Sequence, residues 1–237
     1  MKKLSSKATF LINFALVLIL LGVYLITFIP ETIVPINSGV SYQAIYNGNR
    51  EKKNVSLMFN VYENTVVVEK ILDELDRQDV KATFFVGGCW ADDNGKTLQR
   101  IVAQGHEIAN HGYFHKDHKN ISEQANRDEI RLTGEIITAL CGAKPTLFAP
   151  PSGSFSTITL QVAEELGYKV IMWSKDTIDW RDSNKDLIVK RATKNLENGD
   201  FILMHPKEHT LNALPEIIGY YKNLGFSIVT VSQNILA

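Results

Sequence analysis

The side chains able to do chemistry in this chain are concentrated in a few short stretches. His111 and His115, in HGYFH, set two imidazoles four residues apart, a spacing that lets both face one divalent metal from a helical turn or a tight loop. His118 extends the series, either as a third ligand or as a packing or solvated histidine. His205 ends the apolar run FILMH, where a lone imidazole is a core residue unless partners reach it. Asp179 and Trp180 are candidate partners: a carboxylate to orient an imidazole, and a ring to line a sugar-sized groove. Asn60 and Glu63 lie close together, and Ser152 and Gly153 follow Pro150 and Pro151 in a turn. A chance scatter of loop polar groups is the plain alternative to a site.

These residues matter together only if the fold gathers them. From Asn54 onwards, short apolar runs alternate with longer stretches of helical period, which predicts repeated βα units and a largely parallel sheet. Strands are expected near Val55–Asn60, Lys81–Val86, His106–Asn110, Thr146–Pro150, Lys169–Ser174, Phe201–His205 and Phe226–Ser232. Helices are expected over Val66–Arg77, from an N-cap at Ser122 to about Leu140, over Thr157–Leu166 and over Lys185–Leu196. The chemical residues fall at or just after the strand ends. In a βα barrel those ends open on one face. The expected fold class is therefore α/β, a distorted (β/α) barrel of about seven parallel strands that is closed or nearly closed. A doubly wound open sheet is the alternative.

Composition bounds the rest. A chain of 237 residues, 45% hydrophobic and 22% charged, can bury one sizeable core. Net charge −1 and the lack of a basic patch argue against nucleic acid as a partner. The two cysteines, Cys89 and Cys141, cannot make a disulfide scaffold; they are buried thiols or, outside a cell, a pair. The uncharged stretch 8–29 is long enough to span a bilayer as a helix, and Lys2, Lys3 and Lys7 before it predict a cytoplasmic tip and an extracytoplasmic remainder. A cleaved signal has a shorter apolar core and small residues at its end, which Thr27–Pro30 does not offer. The expected organisation is a tip and transmembrane signal anchor over 1–30, a stalk or linker over 31–53, and one catalytic domain over 54–237.

Five blocks in fixed order carry a family likeness: MFNVYEN followed by KATFFVGG, NHGYFH, FAPPSG, DTIDW and LMH. In that order the sequence resembles the polysaccharide deacetylases, carbohydrate esterase family 4, over roughly Val55 to Leu236. The resemblance implies a distorted (β/α) barrel and a metal-dependent hydrolase that removes acetyl groups from N-acetylated polysaccharide, such as peptidoglycan or N-acetylglucosamine oligomers. It implies His111 and His115 as ligands of a divalent metal, zinc in the usual case, and His205 as the acid that protonates the departing amine, tuned by Asp179. It further implies a backbone N–H near Ser152 as an oxyanion donor, Pro150, Pro151 and Gly153 as the turn shaping the groove, and Trp180 and Leu203 as its apolar lining. The chain departs from the pattern where the family places two aspartates, a base and a metal ligand, since these positions are Asn60 and Val61. The arginine that pairs with the base is Ala149. Glu63 is the nearest carboxylate that could replace the base or a ligand, with an ordinary exposed glutamate as the alternative. A catalytically impaired, membrane-anchored glycan-binding homologue is the second functional expectation.

Overall fold

A computed structural model describes residues 6–28 and 42–236, with side chains in the first stretch described at 7 and 10–21. Two units result, Met1–Ser41 and Tyr42–Ala237. In the first, α1 runs over Ser6–Phe28. Among the described residues no helix is long and apolar enough to cross a membrane. The first part of the expected stalk, up to residue 41, lies outside the described residues.

The second unit is built on a parallel sheet. Its strands are β1 (Asn54–Val61), β2 (Thr83–Val86), β3 (Glu107–Asn110), β4 (Leu147–Phe148), β5 (Lys169–Val170), β6 (Lys175–Asp176), β7 (Asp200–Met204) and β8 (Ser227–Ile228). The helices between them are α2 (Thr65–Arg77), α3 (Gly88–Asp93), α4 (Gly95–Ala103), α5 (Glu123–Cys141), α6 (Thr157–Glu165), α7 (Lys185–Thr193), α8 (Glu208–Asn223) and α9 (Val231–Leu236). Pairing follows the order β5-β4-β3-β2-β1-β7-β6, with β8 added beside the start of β1. The α/β class and the parallel strands agree with expectation. Closure does not: β5 and β6 end the path without pairing to each other, so the sheet is a curled, open half-barrel.

Part of the expected linker covers that opening. Ile45 bridges to Ile171 just beyond β5, with Ile45 N–H donating to Val170 O and Met172 N–H to Ile45 O, both at 2.8 Å. Two residues on, Asn47 bridges to Asp200 at the start of β7. Arg50 then reaches the buried Asp200 carboxylate at 2.9 Å. Residues 42–53 are thus a strap of the folded unit. Turn residues gave the strap its linker-like sequence because its backbone bonds to the sheet at isolated points instead of along a ladder.

Strand side chains alternate between two layers, as the pleat requires. Val55, Leu57, Phe59 and Val61 of β1 join Phe84 and Val86 of β2 in the larger core against α2 and α8. Met58, Phe85, Ala109, Ala149 and Leu203 fill the inside of the half-barrel. Asn60 continues the inward series of β1 and Val61 the outward one. Helix ends follow local chemistry. Ser122 caps α5 by accepting from Ala125 N–H at 3.2 Å, and Gly142 ends it in the left-handed region at φ 73°. Cys89 and Cys141 are partly buried free thiols, so they are not a pair.

Candidate active site

A cavity of about 440 Å³ opens at the C-terminal ends of β1, β3 and β7. Asn60, Glu63, His111, His115, Ser152, Trp180, Leu203 and His205 all line it, which gathers most of the residues expected from sequence. Asp179 stands behind His205 instead of on the wall. Pro150, Pro151 and Gly153 form the turn that presents Ser152, but are not themselves on the wall.

That turn is tight. Ser152 takes a left-handed φ of 55° and Gly153 one of 64°, and a Cβ at Gly153 would lie 2.7 Å from the Trp173 ring. The carbonyl of Ala149 just before it accepts from His111 Nδ1–H at 2.7 Å. With Nδ1 committed, Nε2 of His111 is the nitrogen left for the cavity. Burial, with His115 next, pushes the His111 imidazole down to about 3, so it is neutral at pH 7. The His115 ring meets it edge-on at 5.3 Å between centroids, from a backbone φ of 54°. Burial also lowers the His115 imidazole. The loop carrying the pair is tied down by Gly112 N–H donating to Asn110 Oδ1 at 2.9 Å and Phe114 N–H donating to the buried Glu129 at 2.8 Å. His118 is no part of the wall. It is fully buried, held by Asn126 Oδ1 at 2.7 Å and packed on Phe148, which is the packing role.

On the other side, Asp179 is 1% exposed and its carboxylate accepts three hydrogen bonds, two from His205 and one from Thr210. His205 Nδ1–H donates to Oδ1 at 2.7 Å, His205 N–H to Oδ2 at 2.7 Å, and Thr210 Oγ–H to Oδ2 at 2.6 Å. Burial alone would raise the carboxyl, but the His205 and Thr210 contacts outweigh it and hold Asp179 below the usual range. An ionised Asp179 fixes the His205 tautomer with Nε2 free for a ligand. Ile178 just before it has φ 55°, a conformation that costs a β-branched residue roughly 1–3 kcal/mol. Its N–H is held by Asp176 Oδ1 at 2.7 Å.

The remaining expectations divide. Glu63 sits at the rim, more than half exposed and ion-paired with Lys207, so it is neither a ligand nor a buried base. Trp180 is exposed and carries the Arg181 guanidinium over its ring at 5.8 Å. Asn60 is 5% exposed and its Oδ1 has no hydrogen-bond partner. Val61 points into the outer core and offers no ligand atom. Among the described residues no group of three His, Cys, Asp or Glu side chains could hold a metal ion. A catalytic zinc site takes three protein ligands and one open position. The two imidazoles fall one short, so the residues present do not fit that cofactor. Sequence reasoning did not pick out Tyr62, Trp173, Pro206 and Lys207 on the wall, nor Thr210 behind it. Tyr62 fills the wall beside His115 at 5.2 Å, and only a glycine at 87 leaves room for its ring.

Residues 47–171, more than half of the chain, match the family described as polysaccharide deacetylase. The chain belongs to the polysaccharide deacetylase family. It is 36% identical over 191 residues to the uncharacterized protein YlxY of Bacillus subtilis, covering 81% of this chain and 60% of that one. A Bacillus cereus peptidoglycan-N-acetylglucosamine deacetylase is 34% identical over 195 residues, covering 80% of this chain and 71% of the relative. The chain thus spans less than two thirds of the YlxY protein's length. Among solved structures, a CE4 family pseudoenzyme from Bacillus anthracis superimposes with a TM-score of 0.80 at 34% identity, covering 84% of this chain and 70% of the other. A mutant of that protein, described as having restored enzymatic activity, superimposes equally well, with a TM-score of 0.80. The deacetylase reading of the motif order is supported by these relatives, and the pseudoenzyme matches the question raised by Asn60 and Val61.

Proposed function

We propose that this polysaccharide deacetylase family member holds an N-acetylated cell-wall glycan in the cavity and hydrolyses its acetamide poorly, because the part of the site that would activate water is incomplete. One observation carries the reading. His205 is fully supported by Asp179, whereas Asn60, at the family's base position, has an unpartnered buried oxygen and no charge with which to take a proton. His205 Nε2 is placed to donate to a departing amine. Trp180, Trp173 and Leu203 supply the apolar wall for a sugar ring and its acetyl methyl. The glycan class rests on the names of the relatives.

The test pairs calorimetric binding of N-acetylglucosamine oligomers and peptidoglycan fragments with an acetate assay on the same preparation. Binding with little or no acetate release is expected. Rapid release that tracks bound metal and stops with chelator would overturn the impaired-site reading, and absence of any glycan binding would overturn the ligand. Residues 8–29 are proposed as a membrane anchor, with the cavity-bearing unit on the extracytoplasmic side. The support is the uncharged run and the lysines before it. Protease protection of the unit in intact cells would count against that orientation.

A further inference from the structure

We infer that the start of α8, through His209 and Thr210, is the positioning clamp that holds Asp179 in register with His205. The inference rests on the reading that His205 is the group presented to the glycan. The buried carboxylate has two oxygens and three donors. His205 uses both, binding Oδ1 through its ring and Oδ2 through its backbone N–H. The third donor is Thr210 Oγ–H at 2.6 Å, from a side chain with no exposure. One residue earlier, His209 Nε2–H donates at 2.7 Å to the main-chain carbonyl of Asp179 itself. Two consecutive residues of one helix therefore grip the same residue at its side chain and its backbone.

The grip has something to oppose. Ile178 is held at φ 55°, where a β-branched side chain crowds its own backbone. A loop free to relax there would swing the next residue, and Asp179 would leave the His205 ring. Asp176 and the backbone N–H groups of Arg181 and Asp182 fix Ile178 from within its own loop. Among the described residues, the His209 and Thr210 contacts are what tie Asp179 to the helix that follows His205, and with the two His205 bonds they hold the carboxylate against the imidazole. Thr210 and His209 touch no ligand; they act through Asp179.

The His205 Nδ1–H proton, read by NMR in the ligand-free full chain and assigned by its loss in His205→Gln, reports the clamp directly. Thr210→Val removes the hydroxyl at nearly constant shape, and Thr210→Ser restores it. The expected result is at least tenfold faster solvent exchange of that proton in Thr210→Val, with wild-type exchange in Thr210→Ser and a single cooperative unfolding transition in both. If Thr210→Val does not fold, Thr210→Ala is read in the same way. Exchange within twofold of wild type in the hydroxyl-free variant, or no rescue by serine, would overturn the inference. Because the proton is read without glycan, this outcome is separate from any failure of glycan binding.

Discussion

The two flanks of the cavity are in different states. On the β6–β7 flank every oxygen of the Asp179 carboxylate is used, and His205 is oriented by it. On the β1–β3 flank two imidazoles meet edge-on with no third ligand among the described residues, Asn60 Oδ1 has no donor, and Val61 has joined the outer core. A network in which each member satisfies another is expensive to dismantle piecemeal, since removing one buried partner strands the rest. Asn60 and Ala149 stand where the family has a carboxylate and its arginine. An amide and a methyl strand no charge, so loss of the pair together is tolerable where loss of either alone is not.

The largest test rebuilds the weaker flank. Asn60→Asp together with Ala149→Arg returns a charged base and its counter-charge, and is expected to raise acetate release from N-acetylglucosamine oligomers by about 100-fold, the usual contribution of a positioned base. Adding His205→Ala should remove the gain. An unchanged rate in a folded double variant would mean that the flanks do not differ as described. Next in size is stability. Asp179→Ala is expected to cost about 3–5 kcal/mol in urea unfolding, as for a broken buried charge network. Asn60→Leu, which deletes an unpartnered buried amide, is expected within about 1 kcal/mol of wild type. Equal costs would erase the contrast.

Acidification should sharpen it further. Burial holds His111 down to about 3, and outside the site His106 down to about 4. The unfolded chain binds protons at these positions below about pH 6.5, where the folded chain does not. Stability should therefore begin to fall near pH 6.5 and keep falling through pH 4, by roughly 2 kcal/mol for each of the two histidines, about 4 kcal/mol together, by pH 5. Asp179, held low, adds its loss only below the ordinary carboxylate range. A thermal midpoint flat from pH 7 to 4.5 would contradict the buried neutral imidazoles. The smallest expected effect is none: chelator should leave glycan affinity unchanged within twofold, because two imidazoles alone make a weak metal site.

The parts legible in the sequence were those with local signals. Ser122 announced α5, Gly167 the end of α6, and the apolar runs gave β1, β2, β3 and β7 to within about two residues. HGYFH, DTIDW and LMH marked the residues that the fold brings together. Illegible were elements too short for a period, such as β6 and α3. The stretch read as one strand over Phe226–Ser232 is two residues of β8 followed by the first turn of α9, a switch that apolar residues alone do not signal. The helix α8 runs through Pro215, against the usual rule for helix interiors. Thr210 and Lys207 are ordinary polar residues in sequence and gain meaning only from Asp179 and Glu63, which are distant along the chain.

The strap also dictates an order of events during synthesis. Ile45 and Asn47 leave the ribosome early, yet their partners, Ile171 and Asp200, follow more than a hundred residues later. Contacts at such separation close slowly, and the edges they cover stay open to other chains until then. The seam of the half-barrel is therefore finished only after Asp200 has left the ribosome, which makes it the place where a chaperone or a neighbouring nascent chain would compete for this protein.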